Sequence, residues 1–130
     1  MTKEQITKAL THIPLPMDSC WLVMGAALVM HGIREETSDI DIGCTPEAFD
    51  TLIKLGYHAT TSRSGLRKLS LSREVTVYEG FYTQDIISID GIPVSDLVSI
   101  REIKLFFGRK KDLADVEQIN LHLARVNQND

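Results

Sequence analysis

The chain has 130 residues, enough to close about one hydrophobic core, and is read as a single domain. Its 43% hydrophobic and 25% charged content is ordinary globular composition and excludes a disordered or fibrous protein. A formal net charge of -4 argues against a protein whose main task is coating a nucleic-acid backbone, which requires clustered lysine and arginine.

The longest strongly apolar stretch, Cys20 to Met30, is too short to span a bilayer. The opening Met1-Thr2-Lys3-Glu4-Gln5 carries charge and no apolar secretory core, so a cytoplasmic location is expected. Cys20 and Cys44 suit buried reduced thiols there, and their spacing matches no zinc motif.

In chain order, Thr2 and Gln5 form a capping box for a short amphipathic helix through Ile6, Ala9 and Leu10, which Pro14 and Pro16 terminate. Cys20-Trp21-Leu22-Val23-Met24 is a continuous apolar run and is taken as a buried strand, although periodicity alone does not separate it from a helix start. After Gly25, Ala26 to His31 make a short helix with Gly32 at its C-terminal cap. From Ser38 to Cys44, Asp39, Asp41 and Gly43 alternate with Ile40, Ile42 and Cys44, which describes a strand with one polar and one apolar face.

Thr45 and Pro46 suit the N-cap and first position of a helix whose stripe is Phe49, Leu52, Ile53 and Leu55, ended by Gly56. Tyr57 to Ile92 reads as three or four short strands, with Asp90-Gly91 as a tight hairpin turn. Ser95 caps a helix running through Leu97, Val98, Ile100, Ile103, Leu105 and Phe106 to Gly108. A last helix places Leu113, Val116, Ile119 and Leu123 at helical spacing. The fold class expected is α+β, a mixed β-sheet flanked by helices.

Asp39 and Asp41 lie two residues apart, so on a strand their side chains leave one face roughly 7 Å apart and converge. Two close carboxylates repel unless a cation lies between them, and Mg²⁺ takes carboxylate oxygens while keeping positions for water and phosphate. Taken alone, an Asp-x-Asp is as readily an accident of a solvent-facing strand edge. Its place after a strand, a glycine and a short helix, on a strand with an apolar opposite face, favours the metal site.

The segment Met24-Gly25-Ala26-Ala27-Leu28-Val29-Met30-His31-Gly32-Ile33-Arg34-Glu35-Glu36-Thr37-Ser38-Asp39-Ile40-Asp41-Ile42 resembles the signature of the DNA polymerase beta-like nucleotidyltransferase superfamily. It is most similar to the small bacterial branch of toxin-type and antibiotic-modifying enzymes. The run Lys104 to Asp115, with its Lys, Gly-Arg, Lys-Asp and Asp, is similar to the pattern closing that branch. The resemblance implies a nucleotidyltransferase-like fold, a nucleoside triphosphate as substrate and two Mg²⁺ ions held by Asp39 and Asp41. Gly25 would let the backbone approach the triphosphate. Ala26 stands where the family usually has Gly or Ser. Arg34, Thr37 and Ser38 would hold phosphate oxygens, although a plain surface arginine accounts for Arg34 equally well.

The superfamily completes its site with a third carboxylate on a later strand. The alternation of Glu74-Val75-Thr76-Val77-Tyr78 puts Thr76 at that place, and threonine is neither an anionic ligand nor a base near pH 7. Glu74, two residues earlier on the same face, is the favoured stand-in, ahead of Asp85 and Asp90. Arg63, Arg67, Lys68 and Arg73 are read first as a solvated face and second as a wall for an acidic acceptor or a triphosphate tail. Lys104, within an apolar helix face, calls for a carboxylate partner such as Asp112 or an active-site aspartate, and serves either structure or phosphate binding.

The expected function is transfer of a nucleoside monophosphate from an NTP to a hydroxyl acceptor, with Asp39 and Asp41 holding Mg²⁺ and Glu74 as third acid. The alternative is a catalytically degenerate member that binds nucleotide or a partner in a two-protein stress or toxin-antitoxin system, for which Thr76 and Ala26 speak. A homodimer mate or partner protein is the expected source of any further acceptor surface.

Overall fold

The computed structural model describes residues 1–128. Helix α1 (Lys3–Leu10) opens with the expected capping box: the Gln5 N–H donates to the Thr2 hydroxyl and the Thr2 N–H to the Gln5 side chain. A 3-10 turn (Met17–Ser19) leads into β1 (Cys20–Val23), whose four residues are all buried. The strand stops one residue short of the run read from the sequence. Met24 adopts φ 52 and opens α2 (Met24–Met30), a left-handed conformation unusual for a residue with a side chain. The end of α2 follows a Schellman pattern, with Gly32 at φ 80 and the Ile33 N–H donating back to the Leu28 carbonyl at 3.0 Å.

Strand β2 (Ile40–Cys44) begins just after Asp39. Helix α3 (Pro46–Lys54) is capped by the Thr45 hydroxyl and ends at Gly56 as the pattern predicts. Leu55, counted in its apolar stripe, is exposed because it lies at the C-cap, turned away from the sheet. Strands β3 (Thr60–Thr61), β4 (Arg67–Ser70), β5 (Val75–Glu79) and β6 (Ile86–Ile89) follow, then β7 (Ile92–Ser95). Asp90 and Gly91, both at positive φ, make the β6–β7 hairpin turn.

Helix α4 (Leu97–Phe107) is capped by Asp96, whose carboxylate accepts the Ser99 N–H at 3.1 Å. Ser95, the residue expected at the cap, is instead the last, buried residue of β7. Gly108 at φ 63 ends α4, and α5 (Lys110–Gln128) follows. On α5 the inward row is Asp112, Val116 and Ile119, with Leu113 exposed. The periodic apolar pattern misses this because the first inward position is a carboxylate.

The fold is mixed α+β, with one seven-stranded sheet in the order β3-β4-β5-β2-β1-β7-β6. Strand β2 lies at the centre, antiparallel to β1 and parallel to β5. Its apolar face, Ile40, Ile42 and Cys44, joins Leu22, Leu69, Val75, Val77 and Val94 in a core completed by Ile6, Phe49, Leu52, Ile100 and Ile119 from the helices. With that face committed to helices, the residues between, Asp41 and Thr76 among them, belong to the opposite face. Cys20 and Cys44 are register partners on β1 and β2, both buried and reduced, and burial pushes the Cys44 thiol up to about 12. No helix is long and apolar enough to cross a membrane among the described residues.

Candidate functional site

A cleft of about 440 Å³ opens where the β1–α2 turn, the loop before β2 and the α4–α5 junction meet. Met24, Gly25, Arg34, Thr37, Ser38, Asp39, Asp41 and Lys104 line it, together with Arg109, Lys111, Asp112 and Asp115. Of the residues named from the sequence, it therefore gathers Gly25, Arg34, Thr37, Ser38, Asp39, Asp41 and Lys104. Ala26 is fully buried in the core under α2, outside the cleft wall. Glu74 is exposed and lines a different depression with His12, Pro14 and Tyr57, while its carbonyl accepts the Ile40 N–H at 2.8 Å.

Gly25 packs closely against two side chains of the loop before β2. A Cβ there would lie 2.7 Å from Thr37 Oγ1 and 2.9 Å from Arg34 Nη1. The Thr37 hydroxyl donates to the Asp39 carbonyl at 3.3 Å, and Ser38 Oγ lies 3.5 Å from Asp39 Oδ2. The loop residues thus brace the entry to β2 more than they project into open space.

One wall of the cleft is an ionic network. Arg34 Nη2 donates to both oxygens of Asp115 at 2.8 Å, and Lys104 Nζ lies 2.8 Å from Asp115 and 3.7 Å from Asp112. Arg109 grips Asp112 through Nε at 2.6 Å and Nη2 at 3.2 Å. Lys104 is 4% and Asp112 1% exposed. Burial works to raise both carboxyls, but hydrogen bonds and charge from Lys104, Arg34 and Arg109 outweigh it and leave Asp112 and Asp115 below the usual carboxylate range. The lysine's partner is thus chiefly Asp115, with Asp112 secondary.

Asp39 and Asp41 stand apart from that network, and neither has an ion-pair partner within 4.0 Å among the described residues. Burial and the Asp39 charge push the Asp41 carboxyl up, with Lys68 opposing. Tyr78, two residues beyond Thr76 on β5, shares the Asp41 side of the sheet, and burial followed by the charges of Asp41 and Asp39 raises its phenol. Across the parallel pair, Asp41 has Thr76 as its partner. Among the described residues no group of three or more His, Cys, Asp or Glu side chains is placed to hold a metal ion.

Asp112 is an expected partner of Lys104 and Lys68 part of an expected basic wall, whereas Asp115 as the nearer partner, and the place of Lys68 on the face of Asp41, emerge only from helix packing and strand register. Of the basic residues in the strand region, Arg67 satisfies the bland expectation. It pairs with Glu79 and Asp50 and lies 4.8 Å from the Phe49 ring centroid. No protein-family model and no curated protein matches the chain.

Proposed function

We propose that the cleft binds a nucleoside triphosphate as its Mg²⁺ complex, in the manner of a nucleotidyltransferase domain. The observation that carries this is the Asp39/Asp41 pair: two carboxylates lining one cleft, Asp41 on β2 and partly buried and Asp39 just before it, with no protein cation paired to either among the described residues. The donor set fits a hard cation, since Mg²⁺ is commonly held by one or two carboxylates and takes its remaining ligands from water and phosphate. Two carboxylates suit one such ion better than two. Bound there, the ion would neutralise triphosphate charge and orient the α-phosphate.

The chain's own residues support the rest of this site. Gly25 keeps the turn thin beside Arg34 and Thr37. Both Asp115 oxygens engage Nη2 of Arg34, while Nη1 lies toward Gly25 and the cleft. Lys111 adds an exposed ammonium. Lys104, by contrast, has its charge absorbed by Asp115 and Asp112, so its work here is to hold the α4–α5 wall.

Transfer of a nucleoside monophosphate to a hydroxyl acceptor, with pyrophosphate leaving, is the activity such a site serves, and it requires a group to take the hydroxyl proton. A second reading, nucleotide binding without turnover, as in one half of a two-protein stress or toxin-antitoxin system, is favoured by a specific observation. Thr76 lies beside Asp41, and Glu74 lines another depression.

Calorimetric titration with Mg-ATP and Mg-GTP, alongside a labelled-NTP transfer assay, tests both readings. Binding that is lost in Asp39→Asn supports the site, and label transfer in addition supports the enzyme. Absence of Mg-NTP binding overturns the proposal.

A further inference from the structure

The polar face of the sheet continues past Asp41 into a hollow of about 390 Å³, lined in part by Tyr57, His58, Thr60, Lys68, Ser70 and Thr76. Its location follows from register. Asp41 partners Thr76 across β2–β5, and Thr76 partners Ser70 across β5–β4. The three side chains form a row on one face, and two strand spacings put Ser70 about 10 Å from Asp41. Lys68, two residues before Ser70 on β4, shares this face and is opposite Thr60 on β3.

Three features give the hollow a chemistry. Lys68 is half-buried and has no ion-pair partner within 4.0 Å among the described residues, although its charge reaches Asp41. The hydroxyls of Thr60, Ser70 and Thr76, the Tyr57 phenol and the His58 ring make no side-chain hydrogen bond among the described residues. No carboxylate lines the hollow, although the chain as a whole carries a net charge of -4.

An ammonium that shares a hollow with free hydroxyl donors and with no carboxylate in its lining suits an anion. The donors outnumber what the two oxygens of a carboxylate can use, which favours a phosphate group. The volume leaves room for a sugar-sized body beyond it.

We propose that this hollow binds the phosphate group of a small phosphorylated ligand, with Lys68 as its charge partner and Thr76 and Ser70 as hydroxyl donors, directly beside the Asp39/Asp41 cleft. The identification of that cleft with Mg-NTP supplies only the neighbour: if transfer occurs, the ligand in the hollow is the acceptor. Its phosphate recognition stands on Lys68 and the hydroxyl row.

The test is an amide NMR titration of the full chain with ribose 5-phosphate, ribose and inorganic phosphate. Ribose 5-phosphate is expected to shift the amides of Lys68, Ser70 and Thr76, ribose to leave them in place, and inorganic phosphate to reproduce the shifts at higher concentration. Lys68→Gln should weaken ribose 5-phosphate binding at least tenfold, and Thr76→Val by a smaller factor, in proteins whose remaining spectra are unchanged. Equal response to ribose, unchanged affinity in Lys68→Gln, or shifts confined to Arg63 and Arg73 would overturn the proposal. A parallel titration with Mg²⁺ and a non-hydrolysable ATP analogue in wild type and Asp39→Asn separates the two sites. Absence of nucleotide binding in wild type with phosphate binding intact removes the cleft's assignment and leaves the hollow's, whereas nucleotide binding lost only in Asp39→Asn, with phosphate binding intact, supports both.

Discussion

Asp41 and Thr76 are register partners across the parallel β2–β5 pair, so the side chain nearest to the acidic pair on the next strand is a hydroxyl. Thr76→Asp would place a third carboxylate there. The expected result is at least a tenfold gain in Mg²⁺ or Mn²⁺ affinity, measured by calorimetry, together with a lower melting temperature without metal, because three close carboxylates repel. Unchanged metal affinity would mean that position 76 does not face the site.

Asp41→Asn should act in the opposite sense. Burial and Asp39 raise the Asp41 carboxyl, so the folded state holds this proton more tightly than the unfolded chain. Its ionisation therefore destabilises the metal-free protein once pH exceeds the unfolded value, and the effect fades as pH falls below it. The asparagine variant is expected to be more stable than wild type at pH 7 without metal, by about 0.5–2 kcal/mol, and to lose Mg²⁺ binding. Thermal melts at pH 7 with and without Mg²⁺ read both effects.

Lys104→Met removes the cation between Asp112 and Asp115. Breaking a buried pair this way costs about 3–5 kcal/mol, and a fall in melting temperature of roughly 10 °C or more is expected. A melting temperature within a few degrees of wild type would assign Lys104 to phosphate binding in place of structure.

Asp112 and Asp115 carry the acid-side dependence. Their folded carboxyls lie below the usual value, so their contribution is complete above the unfolded pKa of about 3.9 and is lost as pH falls through the lower folded values. Asp115→Asn should be strongly destabilised at pH 7. Its deficit relative to wild type should shrink as pH drops below about 4, as followed by urea denaturation across pH 3 to 7.

Gly25→Ala tests the thin turn. The added methyl meets the flexible end of Arg34 and the hydroxyl of Thr37, a β-branched side chain that yields only by turning about χ1, so a modest fall in melting temperature is expected. Moving the Arg34 guanidinium is expected to weaken Mg-NTP binding on the order of tenfold, a loss of about 1.4 kcal/mol.

The sequence announced the helix caps at Thr2, Thr45 and Gly108, the Asp90-Gly91 turn and the alternation of β2, because each is a local rule written in adjacent residues. It misplaced the cap of α4 by one position, since Ser95 and Asp96 both suit an N-cap and the pairing of β7 with β1 and β6 decides between them. It also counted Leu113 inward, because a periodic apolar stripe gives no sign that a carboxylate, Asp112, holds an inward place once Lys104 and Arg109 neutralise it. At the site, the neighbourhood of Asp39, Asp41, Gly25 and Arg34 was legible from one contiguous motif. Glu74 shows the limit: alternation states which residues share a strand face, not which hollow a residue just outside the strand will line. Lys68 needed the β4–β5 register, a long-range fact.

Strand β2 has three strands on either side of it, and this bears on how a ligand would leave. Fraying begins at sheet edges, so the amides of Ile40 to Ile42 should exchange with solvent at rates close to those of global unfolding. A cation held by Asp39 and Asp41 would therefore find one anchor fixed in the slowest-opening part of the molecule. Its release would proceed by ligand exchange alone, with no local melting to hasten it.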